Sequence, residues 1–189
     1  MSTVLSVEEA ERFHSFERDR HDSLAATYHE FFSPVTGLAI GPLFNAVRLL
    51  ESMRLLDVAT GPGSVAGAAK RLGVIPIGID LSPGMLKLAR LLHPGIEFCE
   101  ADIERLPFSD CSFDAVVCNF GLGHFPNPEE SVSECLRVLS PGRRLAFAWW
   151  DGPDRQRIQG MFREAICGGR YRGTIRRPYL AFSFPFFRY

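Results

Sequence analysis

The sequence lacks any apolar run of 18 residues, so no transmembrane segment is expected. Its first stretch, Met1 to Arg12, is polar and acidic and carries no apolar signal-peptide core. A soluble, cytoplasmic protein is the expectation. Net charge is also missing: the balance of −1 leaves no basic surface for wrapping nucleic acid, and no nucleic-acid partner is expected. Paired cysteines are absent. Cys99, Cys111, Cys118, Cys135 and Cys167 are scattered, without a C-x-x-C pair or a histidine at ligand spacing, and no metal is expected. What is present is 46% hydrophobic residues over 189 positions, enough for one well-buried core.

Charge changes character after Trp150. Residues 1–150 hold 13 basic and 19 acidic side chains, whereas 151–189 hold eight arginines against Asp151, Asp154 and Glu164. Three regions are expected: a helical segment at 1–40, a core at 41–151, and a helix with a basic, aromatic tail at 152–189. The first 35 residues have helix formers with apolar residues at loose helical spacing. Gly41-Pro42 reads as a break before an amphipathic helix from Leu43 to Leu50.

A regular alternation then begins. Apolar strands are expected at 54–58, 74–80, 96–99, 113–118 and 144–150. Between them lie a small-residue helix ending at Gly73, a helix capped by Ser82 with Pro83 first, and a helix opened by Asn127-Pro128. Strands apolar on both faces and separated by helices of about ten residues mean a parallel sheet covered on both sides. The fold class is therefore α/β, a Rossmann-like doubly wound, mostly parallel sheet.

Ligands of such sheets bind beyond the carboxyl ends of the strands. After the first strand come Asp57-Val58-Ala59-Thr60-Gly61-Pro62-Gly63, where glycine lets the backbone approach a ligand. A G-x-G alone is also a plain strand-to-helix turn. Asp80 ends the second strand, where an acid can meet two ribose hydroxyls. Asp102 follows the third strand and Asn119-Phe120-Gly121 the fourth. Each acid could be a simple turn former, but polar positions past successive strands point together to a nucleoside site. The third glycine of a G-x-G-x-x-G is replaced by Ala66, which weighs against a dinucleotide.

These stretches resemble the class I S-adenosylmethionine-dependent methyltransferases, and within them the small-molecule branch of the ubiquinone/menaquinone biosynthesis methyltransferases. The matching segments are 55–63, Gly78-Ile79-Asp80-Leu81-Ser82-Pro83-Gly84-Met85-Leu86, 101–108, 112–116 and Arg137-Val138-Leu139-Ser140-Pro141-Gly142. The resemblance implies S-adenosyl-L-methionine as cofactor and a small-molecule acceptor. It implies that Ala59, Thr60, Gly61 and Gly63 pass under the methionine part and ribose, with Asp57 orienting that loop. Ala59 stands where the family often has glycine. Asp80 is implied to accept from the ribose hydroxyls, and Asp102 to take the adenine amino group. Ile103, Leu81 and Met85 are implied to sandwich the ring, while Asn119 and Phe120 lie near the methionine moiety.

Methyl transfer from a sulfonium is an in-line displacement in which positioning supplies most of the rate. His124 is the candidate base or acceptor-positioning group, with a structural polar contact as the other reading. Tyr28 and His29 resemble a lid over the cofactor; an aromatic anchoring a helix is the plainer alternative. The carboxyl end looks shortened, with the family's antiparallel hairpin missing or replaced. The fifth strand is then expected to form a sheet edge, and a homodimer through that edge or the aromatic tail is an expected partner arrangement. A chain that binds cofactor without turnover is the alternative function.

Overall fold

In the computed structural model, residues 6–150 are described, and residues up to 147 fall in a single packed unit. The sheet strands are β1 (Arg54–Val58), β2 (Ile75–Asp80), β3 (Glu97–Glu100), β4 (Phe113–Asn119) and β5 (Leu139–Ala148). Their order is β3-β2-β1-β4-β5. β1 pairs in parallel with both β2 and β4, and β2 pairs in parallel with β3. The order reverses direction at β1 and β4, the switch point of a doubly wound sheet. The sequence and the structure agree on this architecture. The expected hairpin and tail lie outside the described residues.

Among the described residues, six α-helices accompany the sheet: α1 (Val7–Phe31), α2 (Ser33–Thr36), α3 (Ile40–Val47), α4 (Ser64–Arg71), α5 (Pro83–Leu92) and α6 (Pro128–Val138). None of them is long and apolar enough to cross a membrane. Burial on both faces explains the continuous apolar strands: Leu55, Leu56, Val116 and Val117 are fully buried at the centre of the sheet. Leu56, Val58, Ile79, Phe113, Val116 and Val138 share one cluster, while Ala66, Leu86, Ala89 and Phe98 fill a second.

Local signals act as the sequence predicts at two helices. Ser82 Oγ accepts the Met85 N–H at 3.0 Å and Pro83 takes the first turn of α5. Gly73, at φ 75°, closes α4. Three readings are corrected. Gly41-Pro42 does not break the chain but lies in the first turn of α3, where a missing N–H leaves no intrahelical bond unmade. Asn127 does not cap α6 with its side chain; its backbone N–H and its Nδ2 both donate to Glu104, at 2.7 and 3.1 Å. β5 starts at Leu139 and ends at Ala148, rather than spanning 144–150, because α6 passes directly into an extended backbone.

Helix α1 is the element whose position matters most. Ser6 and Glu9 form a reciprocal capping box that starts it. Its 25 residues then cross the carboxyl ends of the strands. Arg18 binds Glu100 at 2.9 Å at the end of β3. Asp22 accepts the Ser82 hydroxyl and, at 2.9 Å, the Gly84 N–H at the start of α5. Glu17 meets His124 in the 3₁₀ turn Leu122–His124.

Candidate active site

A cleft opens between α1 and the tips of β1, β2 and β4. It is lined by Tyr28, Ala59, Gly61, Asp80, Leu81, Met85, Ile103, Asn119, Phe120 and His124, so ten of the fourteen expected residues converge there. Asp57, Thr60 and Gly63 are not among the lining residues, and Asp102 borders the neighbouring groove.

The loop after β1 is held from below. Asp57 is fully buried; its Oδ2 accepts the Thr60 hydroxyl at 2.6 Å and the Ala66 N–H at 3.0 Å. Burial pushes this carboxyl up to about 7, against the pull of the Thr60 and Ala66 hydrogen bonds, and the nearby Asp80 adds to the rise. Three residues of the loop, Ala59, Gly61 and Gly63, take positive φ. For Ala59, at 51°, the left-handed conformation is strained. The backbone must also run close to the loop after β4: a Cβ at Gly121 would come within 2.6 Å of Ala59 Cβ and 2.7 Å of Cys118 Sγ.

Asp80 is tied to that loop from the side. Its Oδ2 accepts the Gly61 N–H at 2.8 Å and its Oδ1 the Ser82 N–H at 3.0 Å. Burial raises its pKa, while these two bonds and the His21 and His124 rings pull it down. Each oxygen keeps a lone pair for a further donor. Asn119 donates from Nδ2 to Thr36 O at 3.1 Å, and its buried Oδ1 has no partner.

Asp102 sits apart from Asp80. Its Oδ1 accepts the Glu104 N–H at 2.9 Å, and its Oδ2 lies 3.7 Å from His14 Nδ1 of α1. The groove it borders adjoins the main cleft and shares Arg18, Leu81 and Ala101 with it. Tyr28 stacks on Phe32 with centroids 5.4 Å apart, and burial raises its phenol pKa. Phe32 is the C-cap residue of the same helix, so this stacking is local to the end of α1.

A parallel sheet reversing at β1, a strained glycine turn, and a carboxylate braced against that turn at the tip of the next strand are joined by direct similarity. A family described as the methyltransferase domain matches residues 56–147. The chain is 39% identical over 135 residues to the demethylmenaquinone methyltransferase of Chlorobaculum tepidum, covering 66% of this chain and 55% of that protein. It is 42% identical over 110 residues to the ubiquinone/menaquinone biosynthesis C-methyltransferase of Pseudomonas putida, covering 53% and 43%. Over residues 56–147 the chain is therefore similar to the methyltransferase domain family.

A crystal structure from Bacillus halodurans, assigned as a methyltransferase, superposes with a TM-score of 0.57 at 33% identity, covering 67% of this chain and 57% of that one. The matched region is thus similar to the quinone-biosynthesis methyltransferases. The chain spans about half the length of the curated relatives it matches. The cleft lining fits S-adenosylmethionine on its own terms: it includes Asn119, whose buried Oδ1 has no protein partner, and the braced Asp80 carboxylate.

Glu17 and His21 escaped sequence reasoning, yet both line the cleft from α1. Glu17 Oε2 is 2.7 Å from His124 Nδ1 and 3.4 Å from His21 Nδ1, and the two imidazoles meet edge to face with centroids 4.8 Å apart. Burial holds His124 below the usual imidazole value, with Glu17 pulling the other way. Their i, i+4 spacing on α1 places Glu17 and His21 on one face, but nothing in the sequence says what that face covers.

Proposed function

We propose that this chain moves a methyl group from S-adenosylmethionine to a small-molecule acceptor held in the cleft beneath α1. The observation that carries this reading is the Asp80 carboxylate, braced by the Gly61 and Ser82 N–H groups and still able to accept from a vicinal diol. The bound sulfonium would supply an already activated methyl carbon.

The residues then have positioning work. Asp80 accepts from the two ribose hydroxyls. Leu81, Met85 and Ile103 flank the base, and Asp102 reaches its amino group from the adjoining groove. Asp57 fixes the loop that passes under the cofactor, with Ala59, Thr60, Gly61 and Gly63 setting its path. Asn119 Oδ1 accepts from the ammonium end, beside Phe120. Tyr28 and α1 close over the reactants and limit water. His124 faces the acceptor side.

The quinone-methyltransferase relatives support a quinone-like acceptor. The test is titration calorimetry with S-adenosylmethionine and S-adenosylhomocysteine, followed by turnover on a small-molecule panel. Micromolar binding with turnover supports the proposal. Binding without turnover supports a cofactor-binding subunit, and no binding removes both readings.

A further inference from the structure

We propose that Glu17, His21 and His124 form a binding site for a divalent transition ion of borderline softness, with Zn²⁺ or Co²⁺ as its probes, at the acceptor side of the cleft. One donor atom from each of the three lies within 4.8 Å of the other two. Two imidazoles and one carboxylate are a donor set that suits Zn²⁺ and Co²⁺ rather than Mg²⁺ or Ca²⁺.

The spacing is close to what such an ion requires. Metal–nitrogen and metal–oxygen bonds of about 2.0–2.2 Å put tetrahedral ligand atoms about 3.3 Å apart. Glu17 Oε2 is 3.4 Å from His21 Nδ1 and 2.7 Å from His124 Nδ1, so binding needs an opening of a few tenths of an ångström at one pair. The His21 Nδ1 also lies 2.8 Å from the Glu17 carbonyl oxygen. An ion bound at His21 Nδ1 requires that nitrogen to be unprotonated, so the contact with the carbonyl gives way when the ion binds. Arg20 approaches Oε1 of Glu17 at 3.8 Å, on the opposite oxygen from the two rings. The Glu17 side chain is only 9% exposed, so its charge has little water to replace these partners.

Three protein ligands leave a fourth position, the pattern of catalytic rather than structural sites. All three residues line the cleft, so that position faces the space where the acceptor would lie. An acceptor hydroxyl oxygen bound there would lose its proton more readily and be aimed toward the methyl donor. The ion would also pin α1 to the 3₁₀ turn after β4. This role rests on the proposed methyl transfer; the site itself does not, because it is assayed by metal binding without cofactor or acceptor.

The experiment is Co²⁺ titration of the full chain, read by visible absorption and by calorimetry, with Zn²⁺ competition. One ion per chain is expected, with the spectrum of nitrogen and oxygen ligands and no thiolate charge-transfer band. E17Q and H21N should each weaken binding by at least about tenfold, while C99S and C111S leave it unchanged. Folding of each variant is checked by circular dichroism, and H124N provides an independent ligand loss should E17Q unfold. Absence of one-to-one binding would overturn the proposal. So would binding that survives E17Q, H21N and H124N, or that disappears with the cysteine variants.

Discussion

Asp80 Oδ2 accepts the backbone N–H of Gly61 at 2.8 Å, joining the tip of β2 to the turn that follows β1. The carboxylate is therefore both a wall of the cleft and a brace for its floor. Replacing it should weaken S-adenosylmethionine binding by more than its ligand bonds alone require. Charge-assisted hydrogen bonds contribute about 1.5–3 kcal/mol, so D80A is expected to lose roughly 10- to 100-fold in affinity by calorimetry. D80N, which can still accept the Gly61 N–H, should lose less.

Asp57 makes stability depend on pH. Its carboxyl is raised to about 7 by burial. A carboxyl whose folded pKa exceeds its unfolded value of about 4 binds more protons folded than unfolded in the window between them. Stability from this group is fully present below about pH 4, falls as pH rises toward 7, and is flat above. A tenfold difference in proton affinity between the folded and unfolded chain corresponds to about 1.4 kcal/mol, so the effect is on the order of a few kcal/mol. In D57N, thermal unfolding followed from about pH 4.5 to about pH 8 should show a visibly shallower decline than in the parent protein.

Asp22 latches α1 to the core through the Ser82 hydroxyl and the Gly84 N–H. The acceptor sits at the start of α5, where negative charge is also favoured by the helix dipole. D22A should cost about 1 kcal/mol in global stability and loosen α1 selectively. Hydrogen exchange would then rise across residues 7–31 while β1, β2 and β4 stay protected.

The loop after β4 has no room for a side chain at Gly121. G121A should reduce stability and cofactor affinity together, since its Cβ would press on Ala59 Cβ and Cys118 Sγ. A59G removes one of these contacts and relieves a left-handed alanine, a strain of about 1 kcal/mol. The double variant is expected to unfold at a higher temperature than G121A alone. Equal melting temperatures would refute the coupling.

Arg137 closes the connection between β3 and β4. Its guanidinium donates to Glu134, to the Leu106 and Phe108 carbonyls at 3.0 and 2.8 Å, and to Asp110 at 2.8 Å. R137A leaves those acceptors without their common donor and should lower the midpoint of urea denaturation. R137K cannot span the same fork of acceptors and should recover only part of that loss.

Strand periodicity, the Ser82-Pro83 cap and the apolar β1, β2 and β4 segments were readable because each depends on neighbours in the chain. So was the placement of Asp57, Asp80 and Asn119 at strand tips, which follows once the sheet is parallel. Tertiary structure alone decided how α1 crosses those tips. Glu17 and His124 stand 107 positions apart, and no local pattern encodes their meeting. The same holds for Asp102, which the order of motifs grouped with Asp80 but which turns toward Glu104 and His14. Residue order sets side-chain direction only within an element; the distance between elements is set by how their buried faces pack.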